Sequence, residues 1–87
     1  MQSREAYEAI LRALEANPNR RVVDSEYNDA VFGNFAISFD EEGMLRAVVN
    51  DRGELMLYTD PNGTGRGTMI LPSLAEAEEP TVLSALG

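Results

Sequence analysis

Cysteine, histidine and lysine are all missing from this 87-residue chain. Without cysteine no disulfide forms, and without cysteine or histidine a structural zinc site loses its usual ligands. Serine nucleophiles meet the same difficulty. Ser3, Ser25, Ser38, Ser73 and Ser84 have neither a histidine nor a lysine to serve as the adjacent base that activates a hydroxyl. Paired carboxylates remain as acid–base candidates, but that chemistry needs a cleft deep enough to desolvate one of them. A domain this small seldom builds one. The chain reads as a non-enzyme, with no catalytic residue, no metal and no cofactor.

Long apolar runs are missing too. The Met1-Gln2-Ser3-Arg4-Glu5 start lacks the apolar stretch of a secretion signal, and no run approaches the roughly 20 residues of a membrane span. The expected compartment is the cytoplasm.

What the chain does have is acid. Asp and Glu number 15 against 7 basic residues, all of them Arg, for a net charge of −8. Nucleic acid and anionic membranes are disfavoured as partners, because binding phosphate takes Lys and Arg. Two readings of the acidity stand: it keeps the protein soluble, or it recognises a basic partner. The apolar fraction of 44% and charged fraction of 25% are those of a globular chain. Residues 1–87 are therefore read as one small α+β domain, stabilised by apolar packing and extended by oligomerisation or a bound protein.

Tyr7, Ile10, Leu11 and Leu14 recur at helical spacing and predict one amphipathic helix over Ser3–Ala16, with Ser3 as its N-cap and Glu8–Arg12 as a pair on the wet side. Asn17-Pro18-Asn19 stops it. Val22 and Val23 form a short β-favouring run, and Asp24 to Asp29 reads as an exposed acidic loop. Phe35, Ile37 and Phe39 then alternate with Ala36 and Ser38, the period of a half-buried strand. Further strands are expected over Met44–Asn50, Glu54–Thr59 and Thr68–Leu71. The Asp40–Gly43 and Asn50–Gly53 turns join the first three. After Pro72, Ser73 caps one helical turn, and the tail beyond Pro80 either packs back as a short helix or frays.

The resulting fold is α+β: an N-terminal helix packed on a four-stranded antiparallel meander, with a short C-terminal helical segment. One helix cannot cover both faces of such a sheet. Met44, Val48, Met56 and Tyr58 are expected on the uncovered face, sheltered there by the C-terminal segment or used as a homodimer or partner interface.

Gly63-Thr64-Gly65-Arg66-Gly67 invites a phosphate-loop reading, but the spacing of known phosphate loops is absent and a strand follows rather than a helix. Asp60, Asn62, Thr64 and Gly65 echo the opening of a calcium loop, yet Leu71 stands where that loop needs a bidentate Glu. Turn chemistry accounts for both. The acidic clusters remain: Asp24, Glu26 and Asp29; Asp40, Glu41 and Glu42; Asp51 and Glu54. Alternate turns of a meander lie at the same end of the sheet, so the three clusters cannot share one edge. Tyr27 and Phe32 near the first cluster make an aromatic anchor rimmed by carboxylates, the composition of a protein-binding hot spot, although apolarity by itself assigns Phe32 to the core.

At Phe32-Gly33-Asn34-Phe35, Leu45-Arg46-Ala47-Val48-Val49 and Asp51-Arg52-Gly53-Glu54, the middle third of the chain resembles small acidic immunity proteins of bacterial antibacterial-toxin systems. The resemblance implies a cytoplasmic protein that binds a cognate toxin and blocks its basic active site. Charge complementarity favours fast, specific capture of such a partner. Asp24, Glu26, Tyr27 and Asp29 are the first candidates for contact, and Asp40, Glu41 and Glu42 the second. The alternative is a non-catalytic homodimeric adaptor or regulatory interaction module.

Overall fold

Helix α1 (Ser3–Ala16) buries Ala6, Ala9, Ile10 and Leu14, with Tyr7 and Leu11 flanking, which is the stripe its spacing predicts. The structure is a computed structural model describing residues 1–60 and 67–87; the phosphate-loop and calcium-loop readings centre on 61–66 and lie outside the described residues. The N-cap is Gln2 rather than Ser3, in extended backbone, and its N–H donates to Glu5 Oε1 at 3.3 Å. The Ser3 hydroxyl is taken up instead by a tertiary contact, 3.1 Å from the Tyr27 hydroxyl. The expected Glu8–Arg12 pair is also re-partnered. Glu8 pairs with Arg4 at 3.1 Å, and Arg12 reaches Glu79 at 3.7 Å. Both pairs are exposed and contribute little to stability.

Five antiparallel strands follow, in the spatial order of the chain: β1 (Arg20–Asn28), β2 (Asn34–Glu41), β3 (Met44–Asp51), β4 (Glu54–Thr59) and β5 (Gly67–Leu71). The extra strand relative to the sequence reading is β1, whose Asp24–Asn28 half looked like a loop. It pairs with β2 along its whole length, but a bulge between Val22 and Asp24 breaks the alternation there. Val22 and Tyr27 face α1 with Ser25, while Asp24 and Glu26 point the other way. A phase change in the middle of an edge strand hides it from a period-two reading. The β2–β3 and β3–β4 hairpins close through Glu42-Gly43 and Arg52-Gly53, with positive φ at both residues of each pair. These primed two-residue turns match the twist of the strands.

One sheet face carries Phe35, Ile37 and Phe39 from β2, Val48 and Asn50 from β3, and Leu55 from β4, all buried. Val48 therefore lies in the core rather than on the uncovered face, because its register sets it between Ile37 and Leu57. Met44, in phase with Val48, is on the same helix-covered side but at its frayed margin, 52% exposed. A 3-10 turn (Leu74–Glu76) and helix α2 (Glu79–Ala85) return over this face beside α1. Leu74, Ala77, Val82 and Leu86 complete the core with Ile10 and Leu14. The tail beyond Pro80 is thus helical and docked, and Pro80 sits in the first turn of α2, where its missing N–H costs nothing. No helix is long and apolar enough to cross a membrane among the described residues.

Every helix among the described residues lies on one side, and no described element covers the other sheet face, the bare face. Met56 and Tyr58 stand on it as expected, joined by Ala36, Ser38, Ala47, Val49 and Met69. Truncation of Ile37, fully buried against Val48, removes core volume that neighbours cannot refill. Ile37→Ala is expected to lower unfolding stability by about 2–5 kcal/mol, measured by urea denaturation. A loss under about 0.5 kcal/mol, the range of surface substitutions, would mean that this face is not the core.

Candidate functional site

The bare face is laid out in cross-strand rows. One row runs Glu26–Ala36–Val49–Met56–Met69, and the next runs Asp24–Ser38–Ala47–Tyr58–Gly67. Residues directly opposite each other share a side of the sheet. Small side chains on β2 and β3 make a low floor, with the acids of β1 on one flank and Met56, Tyr58 and Met69 on the other. A hollow of about 490 Å³ lies toward one end, lined by Glu26, Asn34, Ala36, Val49, Glu54 and Tyr58 among others. Arg21 and Asp40, directly opposed, continue the face toward the other end.

The predicted contact residues divide between these surroundings. Asp24, Glu26 and Asp40 are brought together on the bare face. Asp51 and Glu54, opposite one another at the end of β3 and β4, line the hollow with Glu26, while Asp24 and Asp40 lie outside it. Among the described residues, Asp24, Glu26, Asp40 and Glu54 form no ion pair; Asp51 has only a 4.0 Å approach to the exposed Arg52. No three carboxylates among the described residues converge as a metal site would need. The charge is spread along a surface.

Tyr27 belongs to the opposite side. Its ring lies 5.3 Å from that of Tyr7 and 6.5 Å from that of Phe35, and its hydroxyl meets Ser3. Arg4 covers it at 4.8 Å. It is a half-buried structural aromatic that ties α1 to β1. Asp29 stands exposed in the β1–β2 loop, and Glu42 is the exposed first residue of a hairpin turn.

Glu41 is held internally. Its carboxylate pairs with Arg20 through Oε2 and with Arg46 through Oε1, the latter at 2.6 Å. Arg20 also donates to the Leu86 and Gly87 carbonyls at 3.3 and 3.1 Å and lies over the Phe39 ring at 5.6 Å. This cluster seals the margin of the core where β1, β2, β3 and the C-terminal segment meet. The register predicts it, since Arg20 faces Glu41 across β1–β2. Charge clustering along the sequence could not reveal it, because Glu41 is read beside Asp40 and Glu42 rather than beside its spatial partners.

The β1–β2 loop holds the residue that apolarity misplaced. Phe32 is 71% exposed, with φ +53, and Val31 beside it is also exposed. A bulky residue in the left-handed region costs about 1–2 kcal/mol, so the conformation is imposed by its surroundings. Gly33 leaves no choice: a Cβ there would stand 2.1 Å from Ser3 Oγ and 3.0 Å from the Tyr27 hydroxyl. The fully buried Asn50 then clamps the loop, donating to the Gly33 carbonyl at 3.1 Å and accepting from Gly53 N–H at 3.0 Å. Asn34 Oδ1 accepts from Arg52 N–H at 2.8 Å. The two turns are thereby locked together, with Arg52 over the Phe32 ring at 5.3 Å.

The chain matches no protein-family model, no curated protein and no solved structure.

Hydrogen bonds to Arg20 and then Arg46 hold the Glu41 carboxyl below the usual glutamate range. A depressed folded-state pKa adds stability above the unfolded value of about 4.3, and that stability is lost as pH falls through the lower folded value. Glu41→Gln is expected to destabilise by about 1–3 kcal/mol at neutral pH, and the gap from wild type should close as the solution is acidified through that range. Denaturation at several pH values checks this, and a gap independent of pH would show that charge is not the cause.

Proposed function

We propose that this protein is a stoichiometric inhibitor of the immunity type, acting in the cytoplasm, which uses its bare sheet face to cover the basic active site of a toxin. The observation that carries the reading is the placement of Asp24, Glu26, Asp40, Asp51 and Glu54 on a single uncovered face, around a floor of small side chains. Of the five, Asp40 has an internal role, accepting from the Gly43 N–H at 3.4 Å and facing Arg21; Asp24, Glu26 and Glu54 form no ion pair among the described residues. Like charges on one surface repel, and the cost is recovered when cations are brought against them.

The apolar flank adds what charge alone lacks. Met56, Tyr58 and Met69 supply the adaptable and aromatic contacts typical of an interface core, with acids at its rim. The rim would speed encounter and reject acidic surfaces, and the apolar strip would slow release. Inhibition by occlusion needs no reactive group, which agrees with a chain that has no histidine, lysine or cysteine. The resemblance of the middle third to immunity proteins points the same way. Glu41 is reassigned within this reading from a contact residue to a structural one, and Tyr27 likewise.

The test is co-expression with the products of neighbouring genes. The expected result is one product that is toxic alone, neutralised by this chain, and recovered with it in equal amounts. The absence of any such product would defeat the reading. With the toxin in hand, Asp24→Lys, Glu26→Lys and Asp40→Lys together are expected to slow association by about 10- to 1,000-fold at low salt, with a much smaller effect at high salt. An unchanged, salt-independent association rate would take the contact away from this face.

A further inference from the structure

The middle of the bare face is a trough. Ala47 is only 5% exposed although no described element covers it, so the side chains around it stand higher. Ala36, Ser38 and Val49 are half-buried beside it. On one bank, Asp24 and Glu26 of β1 are exposed and form no ion pair among the described residues. The other bank is apolar, built by Met56 and Tyr58 of β4 and by the exposed Met69 of β5. Gly67 draws this bank outward. The Tyr58 ring lies across it, and a Cβ on Gly67 would stand 2.6 Å from the ring's Cζ. The ring thus leans toward β5 and leaves the floor between β2 and β3 open.

We propose that the occupant of this trough is an amphipathic α-helix of the partner, lying along β2 and β3 with basic side chains toward β1 and apolar ones toward β4. The proposal rests on the toxin-binding reading and names the part of the toxin that is grasped. Its first support is width. β1 and β4 are three strand spacings apart, about 14 Å, and a helix with its side chains is about 10–12 Å across. The second is the chemistry of the floor. Ala36, Ala47 and Val49 offer no side-chain hydrogen bonds, so an extended segment laid there would bury unpaired backbone groups, whereas a helix bonds its own internally. The third is charge. One acidic bank and one apolar bank complement a helix with a basic side and an apolar side. A second copy of this chain is the wrong occupant, because it brings its own charge of −8 against these acids. The eight-residue strands β2 and β3 span about 27 Å, the length of roughly 18 helical residues.

The probe is a synthetic alanine-based helix of about 18 residues with a leucine stripe beside an arginine stripe. It is titrated with the full chain by fluorescence anisotropy, and amide chemical shifts locate the contact. Saturable binding is expected, with shifts centred on Ala36, Ala47 and Val49 rather than on α1. Exchanging the peptide's arginines for glutamates, or placing two prolines in its middle, should each weaken binding by at least about tenfold. Asp24→Lys with Glu26→Lys should weaken it similarly at low salt and less at high salt. Ser38→Phe fills the floor and suits a strand, so it should abolish binding while the melting temperature holds. Ala36→Phe serves the same purpose should the first variant melt early. Absence of saturable binding, shifts on the α1 side, or equal binding of the proline peptide overturns the inference. The two readings fail separately. A toxin neutralised equally well by the wild type and by Ser38→Phe keeps occlusion and removes the helix from the trough. Peptide binding without any toxic neighbouring gene product keeps the helix as occupant and removes the toxin as its source.

Discussion

Burial of both helices against the same face of one sheet is the constraint on which the rest of the molecule depends. Ile37 and Val48 sit at the middle of that face, and Ile10, Leu14, Leu74 and Val82 close over them. A chain of 87 residues has enough apolar surface for one such core and little beyond it. With α1 and the C-terminal segment committed to the same side, no element among the described residues covers the other. The bare face follows from economy of core material. Its acidity is a separate property of the sequence, with a net charge of −8.

Charge acts in two different ways in this fold. On the bare face, Asp24, Glu26, Asp40 and Glu54 lack ionic partners among the described residues and project a field. At the core margin, Glu41 is enclosed by Arg20 and Arg46 and works locally, fastening three strands and the end of the chain. Asn50 has the same fastening role at the opposite end, with neutral hydrogen bonds to two turns. These polar devices sit where the apolar core runs out, at either end of the strands. Asn50, buried and hydrogen-bonded to both turns, fixes geometry with a precision that apolar contacts do not.

Much of the fold was legible. The stripe of α1 and the alternation of β2 needed only the helical and strand periods, and the Gly43 and Gly53 turns marked the hairpins. What was missed had a physical reason in each case. The bulge at Val23 reversed the phase of β1, so a strand passed for a loop. Val48 and Met56 are both apolar, and only the register puts one inside and the other out. Phe32 was assigned to the core by its apolarity, while the deciding fact is the closeness of Gly33 to Ser3 and Tyr27, contacts separated by many residues in the chain. Of the candidate contact residues, Asp24, Glu26 and Asp40 are brought together, whereas Tyr27 and Glu41 are occupied by structural partners.

The amino-acid sequence by itself determined the balance of charge, the lack of histidine, lysine and cysteine, and the local periods that make one helix and a run of hairpins. Those are properties of composition and of near neighbours. Tertiary structure alone decided which acids stand free and which are neutralised, which sheet face is bare, and that an aromatic is held outside. Each of these depends on register and on contacts between distant segments: a shift of one residue along a strand exchanges its two faces. The excess of acid is written in the sequence, but which of the acids share the bare face is a property of the fold.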